Sequence, residues 1–175
     1  PSQTVAGGQG YNGLSLFKVN GEQYLAVTQT TDGNSSGAIR IFKWMPSLNC
    51  FGNGISTCNS QYQSSFATGW PIQSGHVFSH GLNTYILVSR TAADSYVYKW
   101  TPFVSGNGCP ASGGFGNGTA CGTRLPTTIP QAGNVDRQAM LETGGEVYLA
   151  TRGPNAGWTT FIMTRTPARE CFGNG

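Results

Sequence analysis

The stretch Leu14–Val27, LSLFKVNGEQYLAV, decides the fold because two short apolar runs flank the dipeptide Asn20-Gly21. Asn-Gly between apolar runs is the strongest short-range indication of a β-hairpin, since both residues accept the positive φ of a tight turn. The block recurs as GHVFSHGLNTYILV (75–88) and QAMLETGGEVYLAT (138–151). The three copies align on tyrosines that are 61 and 63 residues apart, Tyr24, Tyr85 and Tyr148. We therefore predict three tandem copies of one β unit.

Two further landmarks follow each hairpin in the same order. The first is an alternating run that ends at proline, IRIFKWMP, SYVYKWTP or TFIMTRTP, and the second is the tetrapeptide FGNG, at 51–54, 115–118 and 172–175. Polar, β-prone segments at 61–68 and 123–129 complete the first two copies. Four antiparallel strands per unit, with an inner strand buried on both faces, are typical of a propeller blade.

The ends of the chain suggest how such blades would close. We predict one half-ring domain over residues 1–175, with repeats at about 8–68, 69–131 and 132–175. The third repeat stops before its fourth strand, and PSQTVAGG at the start resembles the corresponding TRLPTTIPQAG (123–133), so residues 1–7 are expected to close the last blade. Three blades are too few for a ring. A six-bladed ring of two chains is the preferred prediction, and a segment of a longer propeller is the alternative.

The composition indicates an extracellular all-β protein. Glycine is abundant, at 26 of 175 residues, and only 10% of residues are charged, against about 25% in an average domain. The net charge of +3 is scattered, which argues against a nucleic acid partner, and no apolar run is long enough for membrane insertion. The sequons at Asn34 and Asn117 predict glycosylation, and the start at Pro1, without Met or a signal peptide, is expected of a processed, secreted form.

The five cysteines are expected to form disulfides rather than a metal site, because no CxxC cluster is present. Cys50 with Cys58 and Cys109 with Cys121 flank the first two FGNG loops, and their equivalent positions favour these pairs, although other connectivities stay open. Cys171 begins the third loop and lacks a partner there. Trimming of the chain, an interchain bridge and a free thiol are the three explanations.

The segment TTIPQAGNVDRQAMLETGGEVYLAT (127–151) resembles the epilepsy-associated repeat, also called the EPTP repeat, and YLAVTQ and YILVSR with their following strands are similar to it. The resemblance implies a β-propeller on secreted or cell-surface proteins that act in recognition and adhesion without enzymatic activity. Secreted invertebrate repeat lectins offer a looser parallel. The chain departs from the family in its longer repeats, its inserted Cys/FGNG loops and its lack of seven repeats in one chain.

The resemblance also indicates a position near the propeller channel. Asn12, Gln73 and Asp136 occupy the acid position of the family pattern, which binds calcium in some members. Only one copy keeps the carboxylate, so we expect no cofactor and leave calcium at Asp136 open, because calcium takes six to eight oxygen ligands. Arg137, beside Asp136, belongs to the same candidate surface.

The candidate binding residues are loop tryptophans with polar neighbours, because a flat ring can stack on the apolar face of a sugar while amides and guanidinium groups bind its hydroxyls. The pairs are Trp70 with Gln73, and Trp158 with Asn155 and Arg152. Trp44 and Trp100 share one repeat position and are instead expected to pack between blades. His76, on an inner strand, is expected to be structural.

No nucleophile, metal-protease or phosphate-binding motif occurs, so we expect a protein without catalytic residues. The predicted function is a multivalent lectin that binds glycans or cell-surface glycoproteins as a homo-oligomer. The first alternative is a protein–protein adhesion or extracellular-matrix module of the EPTP type. A glycosidase-like propeller that depends on Asp136 is a distant third.

Overall fold

The computed structural model describes residues 10–30, 37–58, 62–90, 93–126, 128–129, 137–144, 146–152, 160–166 and 171–173. Its ordered elements are strands paired antiparallel in three sheets, so the all-β prediction is confirmed. No helix able to cross a membrane occurs within these ranges. The predicted closing segment 1–7 lies outside them, as does Asn34.

The three sheets follow one another along the chain, one per predicted repeat. The first contains β1 (Tyr11–Val19), β2 (Glu22–Gln29), β3 (Ala38–Met45), β4 (Cys50–Gly52) and β5 (Ser64–Ala67). The second contains β6 (Ile72–His80), β7 (Asn83–Arg90), β8 (Ala93–Thr101), β9 (Gly114–Gly116) and β10 (Thr128–Ile129). The third contains β11 (Arg137–Thr143), β12 (Glu146–Arg152), β13 (Thr160–Thr166) and β14 (Cys171–Gly173).

Two-residue hairpins join the first two strands of each sheet. Val19 pairs with Glu22 around Asn20 (φ 51°) and Gly21 (φ 80°), the two positive φ values of a type I′ turn. In the second sheet His80 pairs with Asn83, so the turn is Gly81-Leu82 and Asn83 already belongs to the strand.

The fourth position of the first two sheets is shared by two short strands, where the sequence predicted one. In the first sheet β4 pairs with the second half of β3 (Lys43–Met45), and β5 pairs with the first half (Ala38–Ile41). Strands β9 and β10 divide β8 in the same way. The FGNG segment, predicted as a loop, therefore begins as an edge strand.

The structure gives a physical reason for the glycine and the asparagine at the second and third positions of the FGNG motif. A Cβ on Gly116 would lie 1.8 Å from the Ala120 carbonyl oxygen, so the returning chain can pass only over glycine. Asn117 Oδ1 then accepts hydrogen bonds from the backbone N–H groups of Thr119 (2.9 Å) and Ala120 (2.9 Å). Asn53 plays the same part in the first sheet, where no sequon is present. The sequon at Asn117 thus coincides with a structural asparagine.

Disulfides join Cys50 to Cys58 and Cys109 to Cys121, with Cα atoms 5.9 Å and 4.9 Å apart. Cys58 and Cys121 are equivalent, because each forms a bridge pair with the first glycine of its FGNG motif. The predicted equivalence of Cys50 and Cys109 is wrong: Cys50 starts β4, whereas Cys109 lies in the loop before β9. Cys171 starts β14 as Cys50 starts β4.

The sheets stack front to back. We call front the face that carries Phe17 and Tyr24 in the first sheet, and Phe78 and Tyr85 in the second; directly paired residues of an antiparallel sheet share a face. The front of the first sheet packs on the back of the second through Phe17, Tyr24, Ile41, Ile86, Val88 and Trp100. The front of the second packs on the back of the third through Phe78, Tyr85, Leu87, Val147 and Leu149.

Two sheet faces carry exposed leucine side chains, although Leu25, Val27 and Phe42 on the back of the first sheet are buried. On the back of the first sheet, Leu14 and Leu16 are 68% and 63% exposed, and on the front of the third, Leu141 is 60% exposed. The expectation that every inner strand is buried on both faces is therefore wrong for β1, because no sheet in the described part of the chain covers Leu14 and Leu16 on its back. Within the described ranges, no core cluster joins the first sheet to the third.

His76 is expected to make stability depend on pH. It pairs with Leu87 on the face toward the third sheet, and burial lowers its pKa from 6.5. The unfolded chain takes up a proton near this value while the folded chain resists it, so the free energy of unfolding should fall as pH drops below about 6.5. Urea unfolding at about pH 7.5 and pH 5.5 should show a smaller drop for His76→Gln than for wild type. His80→Gln is the control for loss of an imidazole, and equal drops in wild type and His76→Gln would contradict the expectation.

Candidate functional site

The predicted site residues of the first two repeats lie at the end of the sheets opposite the hairpins. Asn12 and Gln73 are each the extra residue of a β-bulge, between Tyr11 and Gly13 and between Ile72 and Ser74. Bulges re-aim side chains and are frequent beside functional sites. Asn12 Nδ2 donates a hydrogen bond to the Ile72 carbonyl oxygen at 3.2 Å. The structure thus brings Asn12 of the first repeat beside the Trp70–Gln73 segment of the second.

Trp70 presents an exposed ring on a fixed loop. Its side chain is 52% exposed. The Trp70 carbonyl oxygen accepts hydrogen bonds from Gly37 N (2.7 Å) and from Thr68 Oγ1 (2.8 Å), which tie the loop between the first two sheets to the start of β3. Gly69 supplies the φ of 74° that the loop needs just before the tryptophan. The ring therefore projects from an ordered backbone.

Arg90 lies against one face of this ring. Its Cζ is 4.5 Å from the ring centroid of Trp70 and 4.5 Å from that of Tyr96. Arg124 Cζ lies 4.2 Å from the ring centroid of Tyr96 as well. Guanidinium groups at such distances are attracted by the negative faces of aromatic rings. We call Trp70, Arg90, Tyr96 and Arg124 the cation–aromatic stack.

Arg90 is the buried member of the stack, with 7% of its surface exposed. One terminal nitrogen, Nη1, donates to the Tyr96 hydroxyl, whereas the buried Nε has no hydrogen-bond partner within the described part of the chain. Burial raises the pKa of the neighbouring Tyr98 to about 12, and the positive charges of Arg124 and Arg90 oppose this rise. The stack therefore holds positive charge beneath an exposed indole.

Only two of the predicted binding-site residues in the third repeat lie among the described residues. Arg137 and Arg152 pair in register at the end of the third sheet that corresponds to the bulges of the other two. Asp136, Asn155 and Trp158 lie outside the described residues. No group of three or more His, Cys, Asp or Glu that could hold a metal ion occurs among the residues that the structure does describe.

A cavity of about 700 Å³ lies at the opposite, hairpin end, between the first two sheets. Its wall includes the ion pair of Glu22 with Lys43, and burial followed by the charge of Glu22 raises the pKa of Tyr24 to about 12. Gln63 Nε2 donates to the Gly113 carbonyl oxygen at 3.2 Å, and Phe103 forms an exposed rim. The cavity could not be predicted from the sequence, because its walls come from loops far apart in the chain.

Three members of the stack could not be predicted from the sequence. The loop position of Trp70 predicts a binding residue, but Arg90 ends a strand, Tyr96 lies inside one and Arg124 follows the second disulfide. Only the register that places Arg90 opposite Ile72 brings Arg90 near Trp70. The arginine at the end of YILVSR, where the first repeat ends YLAVTQ with glutamine, is the one difference in charge between these two segments.

No protein-family model matches the sequence, and no curated protein matches it either. The fold and the site define the chain as an all-β protein of three antiparallel sheets that carries an exposed tryptophan on a buried arginine.

Proposed function

We propose that the three sheets are blades of a secreted β-propeller of the EPTP type, present as half of a six-bladed ring. Support comes from the front-to-back stacking and from the inner strands: β1 lies beside β6, and β6 lies beside β11, as around a common axis. Two disulfides within 175 residues agree with an oxidising compartment. A fold of this type does not by itself determine a function, so the proposed function rests on the exposed side chains.

We propose further that the protein is a lectin whose site is the exposed face of Trp70. The observation that carries this is the stack, because Arg90 fixes one face of the indole and leaves about half of the side chain open to solvent. A sugar ring placed on the open face would bury its C–H groups against the indole. Gln73, half-buried at its bulge, and Asn12, exposed at its own, lie next to this segment and suit sugar hydroxyls.

The oxygen-rich surface of a carbohydrate also matches the charge of the site. Arg124, half-buried beside Tyr96, has a guanidinium group that can donate to sugar hydroxyl or carboxylate oxygens, and the buried Arg90 adds positive charge behind the indole ring. Two copies of the chain would present two equivalent sites, and weak single sites gain strength when several engage one surface. This is the arrangement expected of an agglutinating lectin.

The test compares two equally exposed aromatic rings at opposite ends of the sheets, since Trp70 and Phe103 are both 52% exposed. Trp70→Ala should weaken binding to the glycans that wild type selects on an array by more than about tenfold, because it removes the apolar stacking surface. Phe103→Ala should bind as wild type does. Titration calorimetry with the strongest array glycan, in free form, measures both.

Loss of binding in Phe103→Ala with retention in Trp70→Ala would move the site to the hairpin-end cavity and contradict the proposal. A wild-type protein that binds no glycan on a dense array would remove the lectin function altogether. Binding of wild type to a cell surface after enzymatic removal of glycans would instead indicate the protein–protein adhesion alternative.

A further inference from the structure

The two sheet faces with exposed leucines are apolar, like the four faces that pack in pairs at the two junctions inside the chain. We call Leu14, Leu16 and Trp44, on the back of the first sheet, the leucine face; Leu25 and Phe42 lie buried beside them. We call Ala139, Leu141, Tyr148 and Ala150, on the front of the third, the third-sheet face. Leu14, Leu16 and Leu141 are more than half exposed, and contiguous apolar patches of this kind mark interaction sites.

The internal junctions show what such faces contact. Phe17 and Phe78, on the fronts of the first two sheets, are 9% and 2% exposed because the next sheet covers them. The register places Leu141 at the same position of the third sheet, opposite Tyr148 as Phe17 lies opposite Tyr24. Leu141 is nevertheless 60% exposed. Within the described ranges, no sheet covers the front of the third sheet in the way that the next sheet covers the other two fronts.

No sheet among the described residues covers Leu14 or Leu16 of the leucine face. Leu16 holds the position of Val77 and Met140, which are partly buried in the two internal junctions, and it is 63% exposed. Trp44 holds the position of Trp100, whose ring lies 5.0 Å from Tyr24 and 5.6 Å from Phe17 of the preceding sheet. Trp44 is half-buried and stacks only on Phe51 of its own sheet among the described contacts.

We propose that the leucine face docks on the third-sheet face of a second copy of this chain, so that two copies close a ring through two identical junctions. This rests on the proposed propeller arrangement and not on glycan binding. Trp44 of one copy would pack on Leu141 and Tyr148 of the other, as Trp100 packs on Phe17 and Tyr24. Because each junction joins two different faces, the contact is head to tail, and such contacts close into rings when the rotation permits.

The polar groups at the hairpin ends of the two faces agree with this partner. Lys18 is exposed on the leucine face. Glu146 lies on the third-sheet face, at the position that Glu22 has in the first sheet. Glu22 forms an ion pair with Lys43, and the position of Lys43 is occupied by Thr164 in the third sheet. The third sheet therefore has threonine where the first sheet has the lysine that pairs with its glutamate. Lys18 of a second copy offers a positive charge for Glu146.

The oligomeric state tests the proposal. Sedimentation of the wild-type chain at micromolar concentration should give twice the polypeptide mass of 18.5 kDa. Leu16→Asp and Leu141→Asp should each give 18.5 kDa, since each puts a carboxylate into both junctions. Leu82→Asp, at the tip of the second hairpin and fully exposed, is the matched control and should remain dimeric.

Mixing the two monomeric variants separates this mode of docking from others. An equimolar mixture should recover a two-chain species, because one junction of the mixed pair then has wild-type residues on both sides. A dimer that joins two leucine faces would instead survive Leu141→Asp alone, which would overturn the proposal, as would a wild-type monomer.

An engineered crosslink gives a direct readout of the register. Val77 N donates to Ser15 Oγ at 3.2 Å in the first internal junction, and the corresponding residues of the proposed junction are Leu16 and Ala139. Leu16→Cys combined with Ala139→Cys in one chain should therefore produce covalent two-chain species under mild oxidation. No crosslink, with wild type dimeric, would overturn this docking.

A failure of the proposed two-chain docking can be distinguished from a failure of the proposed lectin function. Trp70→Ala should keep the mass of two chains and lose glycan binding. Leu16→Asp should keep the single-site affinity in calorimetry and lose the gain on a dense glycan surface, which is on the order of a hundredfold for linked sites.

Discussion

Trp100→Ala is expected to lower the free energy of unfolding by about 3–5 kcal/mol, the range for truncating a buried tryptophan. Trp100 is 7% exposed and contacts rings from its own sheet and from the preceding one: its centroid lies 5.3 Å from Phe115, 5.0 Å from Tyr24 and 5.6 Å from Phe17. Removal of the indole leaves a cavity between two sheets, and neither sheet can close it without moving the other. Urea unfolding followed by circular dichroism measures the loss.

Trp44→Ala is the matched control, because Trp44 occupies the same repeat position on the open face. Both substitutions are best made in the Leu16→Asp background, in which no second copy covers Trp44. The expected loss for Trp44 is then about 1 kcal/mol, as for a typical substitution outside a core. Equal losses at the two positions would show that Trp100 does not hold the first two sheets together.

Replacing Cys109 and Cys121 together by alanine is expected to cost about 3 kcal/mol of stability under oxidising conditions. The bridge closes a chain segment with a sequence separation of 12, and closure of a loop of this size removes entropy from the unfolded chain. Cys109 is also buried, and Asn107 Oδ1 accepts its backbone N–H at 3.0 Å. The expected result is a lower midpoint of urea unfolding with an ordered native state.

Reductant provides the internal control for the disulfide prediction. It should destabilise wild type by more than it destabilises the double variant, which retains only the Cys50–Cys58 bridge. The same unfolding midpoint for wild type and variant without reductant would contradict the prediction. It would mean that the Asn107 and Asn117 hydrogen bonds order the loop unaided.

The hairpins could be predicted because their determinants are adjacent in sequence. Asn20-Gly21 sets its own turn, and Tyr24 with the residues after it forms a strand wherever that strand lies in the fold. The shared fourth position could not be predicted in this way. A three-residue strand such as Cys50–Gly52 is too short to show a periodicity, and its glycine is typical of loops.

The candidate site was predictable only in part, for a related reason. Trp70 and Gln73 are three residues apart, so a sequence pattern can join them. Arg90 reaches Trp70 only through the register of β6 with β7, and Arg124 reaches Tyr96 through the fold of the second sheet. Contacts of this kind follow from strand pairing between distant segments, which composition and spacing do not encode.

The asparagine of the FGNG motif makes the loops that follow β4 and β9 tolerant of changes in sequence and length. In the first sheet Asn53 Oδ1 accepts three successive backbone N–H groups, those of Ile55, Ser56 and Thr57, so the identity of these side chains does not determine the path of the chain. The interval from this asparagine to the following cysteine is already one residue longer here than in the second sheet. These loops can therefore vary in length and sequence while the strands next to them keep their pairing.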